Sequence, residues 1–197
     1  MKMVFATGNA HKLHEAGEIL SDLCELVMPS SLGLTEDIPE TGETLEENSL
    51  QKAKYLYDKL KTDCFADDTG LEVEALGGAP GVYSARYAGE AKDSGANMDK
   101  LLRELQALGP GASRRARFRT VITLVKDGCL YQFEGEMKGS IANSRSGSEG
   151  FGYDPIFIAD EYPDRTVAQL DEHTKNSISH RGRALRRMAA WLKTQNG

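Results

Sequence analysis

A chain of 197 residues with 40% hydrophobic and 27% charged side chains suits one soluble domain spanning 1–197, long enough to bury a substantial core. Its net charge of -6 argues against a nucleic-acid polymer as the main partner, because such binding draws on concentrated Lys and Arg. The first apolar run stops at Ala6, no stretch approaches a membrane span, and the scattered Cys24, Cys64 and Cys129 suggest neither a disulfide framework nor a clustered metal site, so a reducing cytoplasm fits.

Lys2 to Ala6 reads as a first strand, and Thr7-Gly8-Asn9-Ala10-His11-Lys12 as a polar turn into a helix running toward Ile19 and Leu20. Free N–H groups at a helix start, a glycine that admits close approach and the Lys12 charge together make a phosphate-binding arrangement. A capped helix with a solvated lysine would use the same residues. The spacing matches neither G-x-x-x-x-G-K-[ST] nor G-x-G-x-x-G, so the usual kinase and dinucleotide readings lose their support. His11 and His14 are expected on the helix surface.

A second strand fits Cys24 to Met28, and the polar connection from Pro29 to Gly42 carries Glu40. Thr44-Leu45-Glu46-Glu47 has a capping-box pattern, predicting a helix with Leu45, Ser49, Ala53, Leu56 and Leu60 on one face. Asn48 and Lys52 fall off that face, toward a cleft or toward solvent. In Cys64-Phe65-Ala66-Asp67-Asp68-Thr69-Gly70-Leu71 an apolar run ends in two carboxylates, a hydroxyl and a glycine. Adjacent strand side chains point to opposite faces, so one of Asp67 and Asp68 looks into a site while the other turns away. Asp68 is the expected functional acid, with Thr69 and Gly70 turning the backbone at the strand's end.

The loop from Gly77 to Gly89, with Tyr83, Arg86 and Tyr87, is expected to be ordered against substrate or a second subunit. Asn97 to Leu108 reads as a helix. Ala116 to Val125 and Cys129 to Phe133 form a hairpin around Lys126-Asp127-Gly128, so parallel strands early and an antiparallel pair here imply a mixed α/β sheet. A glycine- and serine-rich loop then delivers Phe151-Gly152-Tyr153-Asp154-Pro155, whose rings suit a planar base, into an Ile156-Phe157-Ile158 strand. Lys175, His180 and Arg181 cluster donors before a last helix with Leu185, Met188, Ala189 and Leu192 along its buried face.

Thr7-Gly8-Asn9 with Lys12, Ala66-Asp67-Asp68-Thr69-Gly70-Leu71, Gly77-Gly78-Ala79-Pro80-Gly81, Ser84-Ala85-Arg86-Tyr87, Phe151-Gly152-Tyr153-Asp154-Pro155 and Ser179-His180-Arg181-Gly182 occur in this order along the chain. In this the sequence resembles the inosine triphosphate pyrophosphatase family, with Thr69 where many relatives have Ser. The resemblance implies an elongated α/β fold, a mixed twisted sheet flanked by helices in two lobes with a central cleft. It implies Mg2+-dependent hydrolysis of ITP, dITP and XTP to monophosphate and pyrophosphate by a homodimer that cleanses the nucleotide pool. Carried over residue by residue, it implies a triphosphate site at Thr7, Gly8, Asn9, Ala10, His11 and Lys12, a catalytic and metal-binding Asp68, a metal-binding Glu40, and nucleotide contacts from Thr69, Phe151, Gly152, Tyr153, Asp154, Lys175, His180 and Arg181. A pyrimidine-directed pyrophosphatase and a nucleotide sensor that binds without hydrolysis are the competing readings; the sensor has no need of an Asp68 and metal centre.

Overall fold

The structure, a computed structural model, describes residues 1–195. The chain divides into two compact units, the first built from Met1–Asp68, Thr120–Gly135 and the segment from His180, the second from Thr69–Arg119 and Glu136–Ser179. Strands β3 (Cys64–Val73), β5 (Arg115–Lys126) and β6 (Cys129–Ile141) each contribute one part to either unit.

In the first unit the strand order is β2 (Glu25–Val27), β1 (Lys2–Phe5), β3, β5, β6. The β1–β2 and β1–β3 pairs are parallel, as they must be when α1 (Ala10–Leu20) and α2 (Leu45–Leu60) make the crossovers. Sequence alternation decides which layer each side chain joins. Met3 and Phe5 of β1 and Phe65 of β3 pack with Ala16 and Leu20 of α1 and Leu185, Met188 and Leu192 of α5 (His180–Gln195). Val4, Cys64 and Ala66 point the other way, into a cluster with Ala53 and Leu56 of α2. Phe5 stacks on Phe65 with ring centroids 4.4 Å apart, a contact that adds about 0.5–1.5 kcal/mol to the burial of the two rings.

The helices are punctuated as expected. Asn9 accepts from the His11 and Lys12 N–H groups at the start of α1, and Thr44 accepts from Glu47 N at the start of α2. The Glu47 carboxylate reaches Glu43 N, at 2.7 Å, one residue earlier than the capping-box pattern implies. Asp127 and Gly128 both take positive φ, 51° and 78°, which is the primed turn that matches strand twist between β5 and β6. Gly135 of β6 lies against α5: a Cβ there would come within 2.1 Å of His180 O and 2.4 Å of Ala184 N. Gly135→Ala is therefore expected to displace the start of α5 and cost about 1–3 kcal/mol, read as a lowered Tm with unchanged helix content.

The second unit pairs β4 (Pro80–Gly81) antiparallel with β3, and β7 (Phe157–Ala159) antiparallel with β6. Its core joins Leu71 and Val73 of β3, Leu101 and Leu105 of α3 (Ser94–Ala107), Phe118 of β5, and Tyr153, Ile156 and Phe157. The mixed sheet flanked by helices is as expected, while several boundaries are not. β3 does not end at Asp68: it runs straight through Thr69 and Gly70 to Val73. Gly70 is required by close approach rather than by a turn, since a Cβ would lie 2.5 Å from Gly81 O of β4. β6 extends to Ile141 rather than Phe133, because Met137 and Ile141 are buried by the second core. The expected strand at Ile156 opens as a 3-10 turn over Asp154–Ile156, and Glu172–Ile178 forms a separate short helix, α4, capped by Asp171.

Candidate functional site

Two adjacent acids leave β3 toward opposite layers. Asp67 follows Phe65 to the α1/α5 side, and Asp68 follows Ala66 to the α2 side. Asp67 is only 3% exposed, and Arg181 Nε of α5 donates to its Oδ2 at 2.8 Å while Lys12 Nζ of α1 stands 3.6 Å away. Arg181 also faces Glu15, with Nη1 3.7 Å from its carboxylate. Burial alone would push the Asp67 carboxyl up, but Lys12, Arg181 and Lys52 outweigh it and hold the acid well below the usual carboxylate range. The acid turned away from α2 is thus the anchor of a cationic cluster.

On the α2 side, Asn48 Nδ2 donates to Asp68 Oδ2 at 3.1 Å, and the Glu40 carboxyl shares a hydrogen bond with the Asp68 carboxyl. Lys52, one turn further along α2, pairs with Glu40 at 3.0 Å and donates to the Asp67 carbonyl at 2.5 Å. Burial, with the Glu40 carboxylate adding, pushes Asp68 up to about 7 against the opposing pull of Lys52 and Asn48. A carboxyl poised near neutrality is suited to take a proton at working pH. Burial lowers the Lys52 ammonium, yet Asp67, Glu40 and Asp68 together raise it, so the cation persists beside the acids.

Among the described residues no three His, Cys, Asp or Glu side chains form a protein-only metal cage. A pair of carboxylates is nevertheless the donor set that suits Mg2+, which keeps several waters and completes its shell with substrate phosphates. Glu40 and Asp68 therefore fit a divalent cation of that kind.

The turn before α1 is a side-chain cap, in which three N–H groups are already accepted within the turn. Thr7 Oγ1 accepts from Asn9 N at 3.0 Å, and Asn9 Oδ1 accepts from His11 N at 2.9 Å and Lys12 N at 3.2 Å. Gly8 has nothing within 4 Å of where a Cβ would stand, so open space, not crowding by the protein, lies over its backbone. Ala10, His11 and His14 are exposed on α1, as the sequence indicates for the two histidines. His180 begins α5 with Nδ1 2.7 Å from the hydroxyl of the fully buried Thr120, which fixes the ring's orientation.

In the second unit the Phe151–Asp154 segment separates its two rings. Phe151 is 67% exposed, with Lys175 Nζ 4.4 Å from its ring centroid. Tyr153 is buried, and its hydroxyl donates to Ser84 O at 2.6 Å. Asp154, also buried, accepts from Lys175 Nζ at 2.6 Å and from Phe151 N at 3.0 Å, so it holds the lysine against the ring. Gly152 takes a φ of 59° between them, and Thr69 is half-buried in β3. Arg86 lies over the Tyr83 ring at 5.2 Å, a surface pair. Sequence reasoning left Asn48 and Lys52 open between cleft and solvent and gave Asp67 no partners. The signal available for the first two was their i, i+4 spacing one position off the apolar face of α2.

The profile of the Ham1 family matches residues 3–191. The dITP/XTP pyrophosphatase of Flavobacterium johnsoniae is 47% identical over 188 residues, 95% of this chain and 96% of that protein. The dITP/XTP pyrophosphatase of Porphyromonas gingivalis is 48% identical over 191 residues, 97% of each. The solved structure of the Staphylococcus aureus Ham1 protein matches with a TM-score of 0.91 at 41% identity, covering 99% of this chain and 100% of that one.

Proposed function

The chain belongs to the Ham1 family, and from that premise we propose that it is a nucleoside triphosphate pyrophosphatase converting dITP, XTP and ITP to the monophosphate and pyrophosphate. The observation that carries the chemistry is the Glu40–Asp68 carboxylate pair with Lys52 beside it and Lys12 on the adjoining acid. Asp68 takes the proton of a water whose oxygen attacks the α-phosphorus in line, and the bond from that phosphorus to the bridging oxygen breaks to release pyrophosphate. Lys12 and Lys52 face the charge that builds on the phosphates, a task of positioning and electrostatics rather than covalent chemistry. Glu40 and Asp68 would hold Mg2+, which supplies charge neutralisation on the phosphate oxygens when bound. Thr7 to Lys12 receive the phosphates, with the Gly8 backbone open to them.

Phe151 is the ring that offers a stacking face to the base, supported by its exposure and by the ammonium of Lys175. Tyr153 and Asp154 act behind it, one anchoring the segment to Ser84 and the other positioning Lys175. His180 reads the O6 acceptor of hypoxanthine or xanthine. Arg181, already engaged with Asp67 and Glu15, acts chiefly by fixing the start of α5. Adenine carries an amino donor at that edge, so His180→Ala is expected to narrow the dITP-to-dATP preference in kcat/KM by about tenfold or more, and an unchanged ratio removes His180 from base readout. No helix among the described residues is long and apolar enough to cross a membrane. We place the enzyme in the cytoplasm as a homodimer cleansing the nucleotide pool, with all of 1–197 forming one pyrophosphatase domain.

Product analysis with ITP, dITP, XTP, GTP, ATP and dTTP, in Mg2+ or EDTA, tests the assignment. Metal-dependent pyrophosphate from the first three, with little from the others, is the expected result. Pyrophosphate from dTTP would make the enzyme pyrimidine-directed, binding without turnover would make it a sensor, and diphosphate with free phosphate would move attack to the γ-phosphorus.

A further inference from the structure

Glu40 sits on an irregular connection and Asp68 on a strand, so some element must hold the two carboxylates at a constant separation. Three consecutive backbone N–H groups following Glu40 are accepted by side chains of α2. Thr41 N donates to Gln51 Oε1 at 2.8 Å, Gly42 N to Asn48 Oδ1 at 2.6 Å and Glu43 N to Glu47 Oε2 at 2.7 Å. Of these three helix residues, Asn48 is the one that also reaches the strand, through Nδ2 to Asp68 Oδ2 at 3.1 Å. Its side chain is 2% exposed, so both ends of the amide are held away from competing water. Gly42 is packed against it: a Cβ there would stand 2.8 Å from Asn48 Oδ1 and 2.7 Å from Glu47 Cβ.

We propose that Asn48 is a positioning residue that uses its two amide ends to set the spacing and orientation of the Glu40 and Asp68 carboxylates before a divalent cation arrives. The chemistry of the amide fits this task. Its oxygen accepts from the Glu40 connection while its NH2 donates to the carboxylate of Asp68, an orientation that an aspartate or a hydroxyl cannot reproduce at both ends. The donated hydrogen bond fixes the orientation of the Asp68 carboxyl, as partners of ligating carboxylates do. The inference rests on the metal role assigned to Glu40 and Asp68 above.

The test is Mn2+ binding to the nucleotide-free full chain, followed by the loss of the free-ion electron paramagnetic resonance signal. Asn48→Leu, alike in its branching at Cγ though larger, removes both hydrogen bonds. It is expected to raise the Kd for Mn2+ about 10- to 100-fold, the usual loss when the partner of a ligand is removed. In turnover it is expected to raise the Mg2+ concentration for half-maximal activity by a similar factor, with KM for dITP at saturating Mg2+ little changed. Should Asn48→Leu not fold, Asn48→Ser decides the matter by the same titration. Ser49→Ala is the structural control, because it removes the buried 2.7 Å contact to Thr123 on the same turn of α2 without touching either acid. It should lower Tm and leave Mn2+ affinity unchanged. A folded Asn48 variant with wild-type Mn2+ affinity overturns the proposal even if the wild type releases pyrophosphate from dITP. A wild type that binds no Mn2+ without nucleotide while still hydrolysing dITP overturns the proposal, and the metal role of the acid pair then belongs to the substrate-bound state alone.

Discussion

Asp68→Asn is expected to lower the rate of pyrophosphate release at saturating dITP and Mg2+ by about 10² or more, the loss associated with removing a general base. The amide keeps the shape of the side chain and can still accept from Asn48 Nδ2, so the fold and the Glu40 connection should survive. What it lacks is the capacity to take a proton and the negative charge that a cation requires. Rapid-quench or steady-state pyrophosphate release measures the effect, and near-normal turnover with Mg2+ present removes Asp68 from the role of base. A loss confined to subsaturating Mg2+ would keep Asp68 as a metal ligand alone. The environment supports the base. Burial and the neighbouring Glu40 bring this carboxyl to about 7, whereas the acid one residue earlier is held far lower by its cations.

Asp67→Asn is the largest expected loss of stability. It leaves Arg181, itself buried, and Lys12 facing a neutral amide, and breaking a buried pair in this way costs about 3–5 kcal/mol. Urea unfolding near neutral pH measures it as a lowered midpoint. The pH dependence has a definite sign. The folded-state pKa of Asp67 is depressed below an unfolded value of about 3.9, so its contribution is fully present above that pH and is lost as acid takes the folded-state carboxyl through its own, lower pKa. The gap between wild type and Asp67→Asn should therefore be constant from neutrality down to about pH 4 and should narrow below it. A variant as stable as wild type at pH 7 would show that Lys12 and Arg181 are not held by this acid.

Much of this site was legible from local chemistry. The N-cap at Asn9, the helix that starts after Thr44 and the opposite facing of Asp67 and Asp68 each follow from short-range rules, because a cap, a capping pattern and a period of two involve only neighbouring residues. The turn expected at Thr69-Gly70 failed for an instructive reason. Glycine reads as a turn residue in sequence, yet Gly70 is in mid-strand because the Gly81 backbone passes too close for any side chain. The two rings of Phe151-Gly152-Tyr153 look equivalent in sequence. The burial of one against Ser84, 69 residues away, is what tells it apart from the other, which stands exposed.

By itself, then, the sequence determined most of the strands and helices, the alternation of side chains between the two faces of each strand and the set of charged groups near the strand and helix ends. These depend on backbone sterics and on periodicities of two and 3.6 residues. Only the tertiary structure decided which charges neutralise one another. Arg181 meets Asp67 across 114 positions of chain, Lys52 meets Glu40 and the Asp67 carbonyl, and Asn48 joins a loop to a strand. Whether a carboxylate is held ionised or poised to take a proton depends on burial and on charges within a few ångströms, and spacing along the chain carries no record of either.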